Sequence, residues 1–308
     1  MPRKSWFGIL VLAGLVLVFI GFFGVALRLE GGKKAGLSDL TDGEGVGVLP
    51  LDGVIMDSKK FVEQLIAFRD NDSVKAIVIR ADSPGGAVGP SQEIYSEIKK
   101  VNAKKPVIVS IGALCASGCY YAAVGTRRIF TNPGSLVGSI GVIMPLYEAK
   151  GLFDWAMIHP QFIKSGPMKD LGHPAKPLTP EEAAALQSVV DDTYAQFVSA
   201  VTQGRTFAGM NTDAVRQVSD GRVFTGKQAK ALGLVDELGT LRDAVAYAGT
   251  LAKLTGEPKM IYPAESKKKL IEYLMDETLG SVRESLAKGV NEMLLQQTTP
   301  ASYFLWKP

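Results

Sequence analysis

The sequence predicts an α/β domain of parallel strands and crossover helices, held behind an N-terminal transmembrane helix and followed by a helical C-terminal extension. Three observations predict it. From residue 46 onward, short β-branched runs alternate with stretches of helical apolar spacing. Residues Trp6 to Leu27 are apolar without one charge, and residues 264–297 carry an amphipathic pattern.

The elements follow in order. At 1.5 Å per residue the run from Trp6 to Leu27 spans a hydrocarbon core of roughly 30 Å, and Arg3 and Lys4 before it keep the N-terminus cytoplasmic. A cleaved secretory leader is the rival, with Gly24-Val25-Ala26 as a small-x-small site, but the run exceeds the usual apolar region of a leader. Either reading puts the main domain beyond the membrane. Residues 1–27 are therefore expected as the anchor and residues 28–45, rich in Gly, Lys, Asp and Ser, as a flexible linker. Val46 to Leu51 reads as a short strand interrupted by Pro50, Phe61 to Phe68 as a helix, and Ala76-Ile77-Val78-Ile79 as a buried strand. Ile94 to Val101 is helical, Val107 to Ile111 is again a buried strand, and Ser139 to Met144 has the composition of one more. Thr179-Pro180-Glu181-Glu182 opens a long helix, with Thr179 as cap, Pro180 in the first turn and Glu182 completing a capping box. The folded domain is expected over residues 46–255 and the helical extension over residues 256–308, with Leu270, Leu274, Val282, Leu286, Val290 and Met293 on its apolar side.

Composition narrows the function classes. With 34 basic and 31 acidic side chains in 308 residues, the net charge of +3 leaves no electrostatic footprint for nucleic acid. Two cysteines, Cys115 and Cys119, make no disulfide framework and read as small buried packing residues. Joined with His159 and His173 they would form a poor zinc pattern, so no metal is expected.

Three stretches carry possible chemistry. Asp82-Ser83-Pro84-Gly85-Gly86 follows a buried strand, and paired glycines let amide N–H groups approach a ligand, as an oxyanion hole requires. On these residues alone an ordinary Pro-Gly turn is the favoured reading. Ala116-Ser117-Gly118 sets a serine between small residues at a strand-to-helix junction, where helix amides stabilise an anion. A helix cap is the bland alternative, and Cys115 excludes a Gly-x-Ser-x-Gly elbow. Ser165-Gly166-Pro167-Met168-Lys169-Asp170 places a lysine in a shaped loop, and a desolvated lysine can serve as a base. The residues alone do not single out Lys169 from the other lysines. Ser285-Leu286-Ala287-Lys288 fits Ser-x-x-Lys but stands without the accompanying motifs of penicillin-binding enzymes.

Taken together, Ser83-Pro84-Gly85-Gly86, Ala116-Ser117-Gly118 with Tyr120 and Tyr121, and Gly138 to Met144 stand in a telling order. Ser165-Gly166 with Lys169-Asp170, Gly221 to Gly226 and Ala229 to Asp236 complete it, so that residues 46–250 resemble signal peptide peptidase A in its short bacterial form. The resemblance implies the Clp-protease/crotonase-like fold of stacked ββα units and a Ser–Lys dyad. By motif, Ser117 matches the nucleophile, Lys169 the general base, Gly86 and Gly118 the oxyanion hole, and Ser139 a serine that orients the lysine. It implies a protease acting on remnant signal peptides and other apolar peptides at the lipid bilayer of the bacterial inner membrane. No cofactor is implied, and protomers of a homo-oligomer would complete one another's active sites. Cys119 stands where many relatives have glycine. A crotonase-like enzyme turning over acyl-CoA would share the oxyanion glycines without needing Ser117 and Lys169, and a non-catalytic membrane scaffold would need none of them.

Overall fold

Alternating apolar residues build a central sheet with helices on both faces. The computed structural model describes residues 43–263. The strands are β1 (Gly45–Ile55), β2 (Val74–Gly86), β3 (Val107–Ala116), β4 (Arg128–Thr131), β5 (Leu136–Gly138), β6 (Val223–Thr225), β7 (Glu237–Leu238) and β8 (Lys259–Ile261). Helices α1 (Lys59–Asp70), α2 (Val88–Asn102) and α3 (Gly118–Ala123) connect the first four strands, and α4 (Lys150–Trp155) and α5 (Pro180–Arg205) follow β5. The chain then adds α6 (Thr212–Gln217), α7 (Gly226–Ala231) and α8 (Leu241–Leu251). The strand order is β6-β5-β3-β2-β1-β8, with β4 beside β3 and β7 beside β4. All pairs are parallel except β5–β6.

The period of two in the strands explains why both faces are covered. Val46, Val48, Ala76, Val78 and Ile108 turn to one face and pack with Ala244, Val245 and Ala248 of α8. Leu49, Leu51, Ile77, Ile79, Val109 and Ile111 turn to the other and form the main core with residues of α1, α2, α3 and α5. Close approach there requires glycine: a Cβ on Gly204 of α5 would stand 2.2 Å from the Val124 carbonyl oxygen at the end of α3. A buried ion pair, Arg205 to Asp236 at 2.8 Å, ties the end of α5 to the segment before β7. Asp236 also accepts the Ile129 amide of β4 at 2.7 Å.

This mixed α/β sheet with its helices is consistent with the Clp-protease-like fold, and several expected elements take a different form. Pro50 does not interrupt β1. Strand β8 pairs only with Gly45–Gly47, so beyond it that edge of β1 is open and a residue without an N–H is tolerated. Ser83-Pro84-Gly85-Gly86 is the end of β2, paired with β1 up to Gly86, and not a free turn. The strand expected at Ser139 to Met144 ends at Gly138, because Ser139 has φ 51 and leaves the extended region. Residues 256–263 are not helical; they include β8, which joins the sheet.

Cys115 and Cys119 are not independent packing residues. They form a disulfide with a Cα–Cα separation of 5.1 Å. The strand end carries Cys115 back over the first turn of α3, a proximity that spacing along an ideal helix or strand does not reveal. The bridge also removes both sulfurs from any Cys/His metal set. The expected anchor over 1–27, nearly all of the linker and the amphipathic run from 264 lie outside the described residues. Among the described residues no helix is long and apolar enough to cross a membrane.

Candidate active site

Three adjacent strands end at one place. Strand β2 ends in Gly86, β3 in Ala116 and β5 in Gly138, at the carboxyl edge where open α/β sheets bind ligands. Ala116 is in register with Gly138, so the residues that follow, Ser117 and Ser139, emerge side by side. Both depart from the strand in the same way, with φ 51. The Ser117 amide donates to the Gly138 carbonyl at 2.8 Å, and the Ser139 amide donates to the Arg222 carbonyl at 2.9 Å.

Ser117 is the N-cap of α3 with φ 51 and ψ −122, and its side chain makes no cap hydrogen bond. The bland reading of this serine as a helix cap is thereby removed. Its hydroxyl is left for other work, half-exposed at the start of a helix. A non-glycine residue in this region costs of order 1–3 kcal/mol, and such conformations cluster at functional sites. The first amides of α3 lack intrahelical acceptors. Gly85, at φ 91, brings the end of β2 against this turn: a Cβ there would lie 2.5 Å from the Gly118 nitrogen and 2.9 Å from the Ser117 Cβ. A Cβ on Gly118 would lie 3.3 Å from the Gly86 nitrogen. The amides of Gly86 and Gly118 therefore flank the serine, as two donors to one oxyanion must.

Beside them opens a small cleft of about 90 Å³. Val88, Tyr121, Val142, Ile143 and Phe197 give it apolar walls, and Ser117, Gly86 and Gly118 lie on its lining. Tyr121 packs edge-on to Tyr95 at 5.2 Å and against Phe197 at 4.9 Å, and burial pushes its phenol above the usual value. The sequence reading missed Phe197 and Ile143 as cleft residues. Ile143 belongs to the run from Gly138 to Met144, whose composition reads as a strand and not as a cleft wall, while Phe197 sits in no motif and only the packing of α5 over α3 brings it there.

Gly86, Ser117, Gly118 and Ser139 are thus assembled by the fold, and Lys169 is not. Lys169 lies exposed in a 3₁₀ turn, Pro167–Asp170, preceded by no strand among the described residues. Its ammonium makes no hydrogen bond or ion pair with the described residues, and it does not line the cleft. The Asp170 carboxylate beside it is engaged by two other lysines. Lys164 donates to it at 2.6 Å and Lys176 lies at 3.3 Å, and these contacts hold its carboxyl below the usual range. His159 is exposed, and His173 accepts the Ala175 amide at 3.1 Å and stacks near Phe162, so neither histidine reaches the serine's cleft. Of the residues lining the cleft only Tyr121 titrates.

Comparisons with known proteins give the family of the chain. Residues 99–255 match peptidase family S49, and residues 54–136 match Clp protease. The chain is 39% identical over 239 residues to "Putative protease slr0021" of Synechocystis sp., covering 77% of this chain and 84% of that protein. It is 31% identical over 302 residues to "Putative protease MJ0651" of Methanocaldococcus jannaschii, covering 92% and 94%. It is 34% identical over 198 residues to "Putative signal peptide peptidase SppA" of Enterococcus faecium, covering 64% and 57%.

Proposed function

Because the chain belongs to peptidase family S49 and is a serine peptidase, we propose that it cleaves remnant signal peptides at the membrane through an acyl-enzyme on Ser117. One observation carries the reading. An uncapped, backbone-strained serine stands between the Gly86 and Gly118 amides at the mouth of an apolar cleft. Its hydroxyl attacks the peptide carbonyl, the two amides receive the oxyanion, and Lys169 in its neutral form takes the Ser117 proton. The resulting ammonium protonates the leaving amine, and water then releases the acyl group by the same route reversed. Ser139, next to Ser117 at the sheet edge, would accept a hydrogen bond from the lysine of the assembled site.

The lysine comes from a neighbouring protomer. A lysine works as a base only where desolvation or a nearby cation favours its neutral form, and none of the described residues covers Lys169. The segment that carries it also leaves large apolar side chains in solvent: Tyr147 is 80% exposed, Trp155 81% and Met157 83%. Such a surface is expected to be buried against another chain. Residues 1–27 would tether the assembly to the inner membrane with the catalytic domain outside the cytoplasm, and the Cys115–Cys119 disulfide supports an oxidising compartment.

A complementation assay tests the dyad and its geometry together. Full-length Ser117→Ala and Lys169→Ala proteins are each expected to be inactive on an apolar fluorogenic peptide. Mixed assemblies of the two are expected to regain activity, because some sites then join an intact serine to an intact lysine. Mixed assemblies that stay inactive would place both residues in one chain. Full activity in either single variant would end the Ser–Lys reading, and turnover of an acyl-CoA thioester in place of peptide would favour the crotonase-like alternative.

A further inference from the structure

The strained turn at Ser117 is enclosed in a covalent ring. Cys115, in register with Ser83 of β2 and Val137 of β5, is joined to Cys119 in the first turn of α3, four residues further on. Ser117 is the central residue of that ring and Gly118 is its neighbour, so the bridge spans both the nucleophile and one oxyanion amide. Both cysteines are fully buried, whereas Ser117 between them is half-exposed. Non-covalent ties on the turn include the Ser117 amide to Gly138, and the Ser117 carbonyl accepting from the Tyr121 amide at 2.9 Å.

We propose that the Cys115–Cys119 disulfide is a redox-sensitive latch that positions Ser117 and the Gly118 amide, so that its reduction slows turnover without dismantling the fold. The inference rests on the reading of Ser117 as nucleophile. Two thiols cannot remain at bonding distance and must separate to van der Waals contact. A close-packed interior gives little room for that movement. On one side Gly85 is already tight against the ring, and on the other β3 is held between β2 and β5. The displacement therefore falls on the turn itself, and an error of about 1 Å in a reacting group costs on the order of a hundredfold in rate.

The exchange balances with a dithiol as reductant. Its first thiolate attacks one cysteine sulfur, forming a mixed disulfide and releasing the other cysteine as a thiolate that takes up a proton. Its second thiolate attacks the mixed disulfide, frees the second cysteine and closes the reagent's own disulfide. Two electrons and two protons pass to the protein, and a small disulfide oxidant reverses both steps. Because both sulfurs are buried, exchange needs local opening of the β3–α3 junction.

The test uses the full-length protein in detergent, with dithiothreitol as reductant, oxidised glutathione as oxidant and an apolar fluorogenic peptide as substrate. Thiols are counted by alkylation after denaturation. Reduction is expected to expose two thiols and to lower kcat about a hundredfold with KM changed less than about twofold. Reoxidation restores kcat, which unfolding would not allow. Cys115→Ala/Cys119→Ala is expected to keep its assembly, to show the low kcat and to ignore the dithiol. Unchanged kcat with two thiols counted, no thiols released from the folded protein, or a double variant that still responds to dithiol would each overturn the latch. Failure of the nucleophile reading looks different: the oxidised wild type would be inert, or Ser117→Ala would remain active, and the latch would fall with it.

Discussion

Gly85 holds φ 91 at the end of β2, where a Cβ would press on the Gly118 nitrogen at 2.5 Å. The obstacle is backbone and cannot rotate away. Gly85→Ala is therefore expected to displace the Gly118 amide and to lower kcat by about a hundredfold, with a smaller effect on thermal stability. Steady-state kinetics beside a melting curve checks this; an unchanged kcat would mean that the Gly118 amide does not serve the transition state. A second residue-scale expectation concerns Arg205 and Asp236, which are 1% and 3% exposed at the side chain. Two guanidinium–carboxylate contacts, at 2.9 and 2.8 Å, satisfy them. Arg205→Met leaves a buried carboxylate with the Ile129 amide at 2.7 Å and Arg128 at 3.3 Å as its only charged partner among the described residues, and should destabilise the fold by about 3–5 kcal/mol in chemical denaturation. A shift below about 1 kcal/mol would mean that water or Arg128 replaces the lost partner.

At the scale of elements, the start of α5 joins a capping box to a chain of charges. The Thr179 hydroxyl accepts the Glu182 amide at 3.2 Å and the Glu182 carboxylate accepts the Thr179 amide at 3.1 Å. Thr179→Ala should lower stability by about 1 kcal/mol, read as a drop in melting temperature. Lys176 donates to Glu182 at 2.5 Å and lies close to Asp170, which also takes Lys164, so both carboxyls are held below their usual range. Their folded values lie below their unfolded ones. The stabilisation is therefore complete above the unfolded carboxyl range, about pH 4, and is lost as pH falls through the lower folded values. The melting temperature should drop from pH 6 to pH 3, and the drop should be smaller in Asp170→Asn/Glu182→Gln. An equal drop in the variant would assign the acid sensitivity to other carboxyls.

For the whole molecule, one sheet with two covered faces is complete in itself, while the segment between β5 and α5 is not. Trp155 and Met157 stand there largely in solvent, away from the cleft around Ser117. Trp155→Asp/Met157→Asp should separate the full-length protein into protomers and abolish peptide cleavage while the helical and strand signals persist. Light scattering in detergent, run beside the activity assay, reads both. A variant that remains assembled and active would show that this surface is not the interface and that the lysine is supplied some other way.

The sequence by itself determined the sheet and helices whose periodicity is regular. The short apolar, β-branched runs at Val46–Leu51, Ala76–Ile79 and Val107–Ile111, and the capping box at Thr179, are local patterns that the fold repeats. The residues Gly86, Ser117, Gly118 and Ser139 came from the family resemblance that the ordered motifs carry, since their own stretches left an ordinary turn and a helix cap open. Tertiary structure alone decided that these four come together, since that depends on which strands lie side by side and where each ends. It decided the Cys115–Cys119 bridge, which depends on how the chain doubles back at Ser117. It placed Phe197 over the cleft from a helix far along the chain. It also left Lys169 exposed and off the lining of the cleft around Ser117, which no spacing along the sequence encodes, because position in space is set by packing and not by the number of residues between.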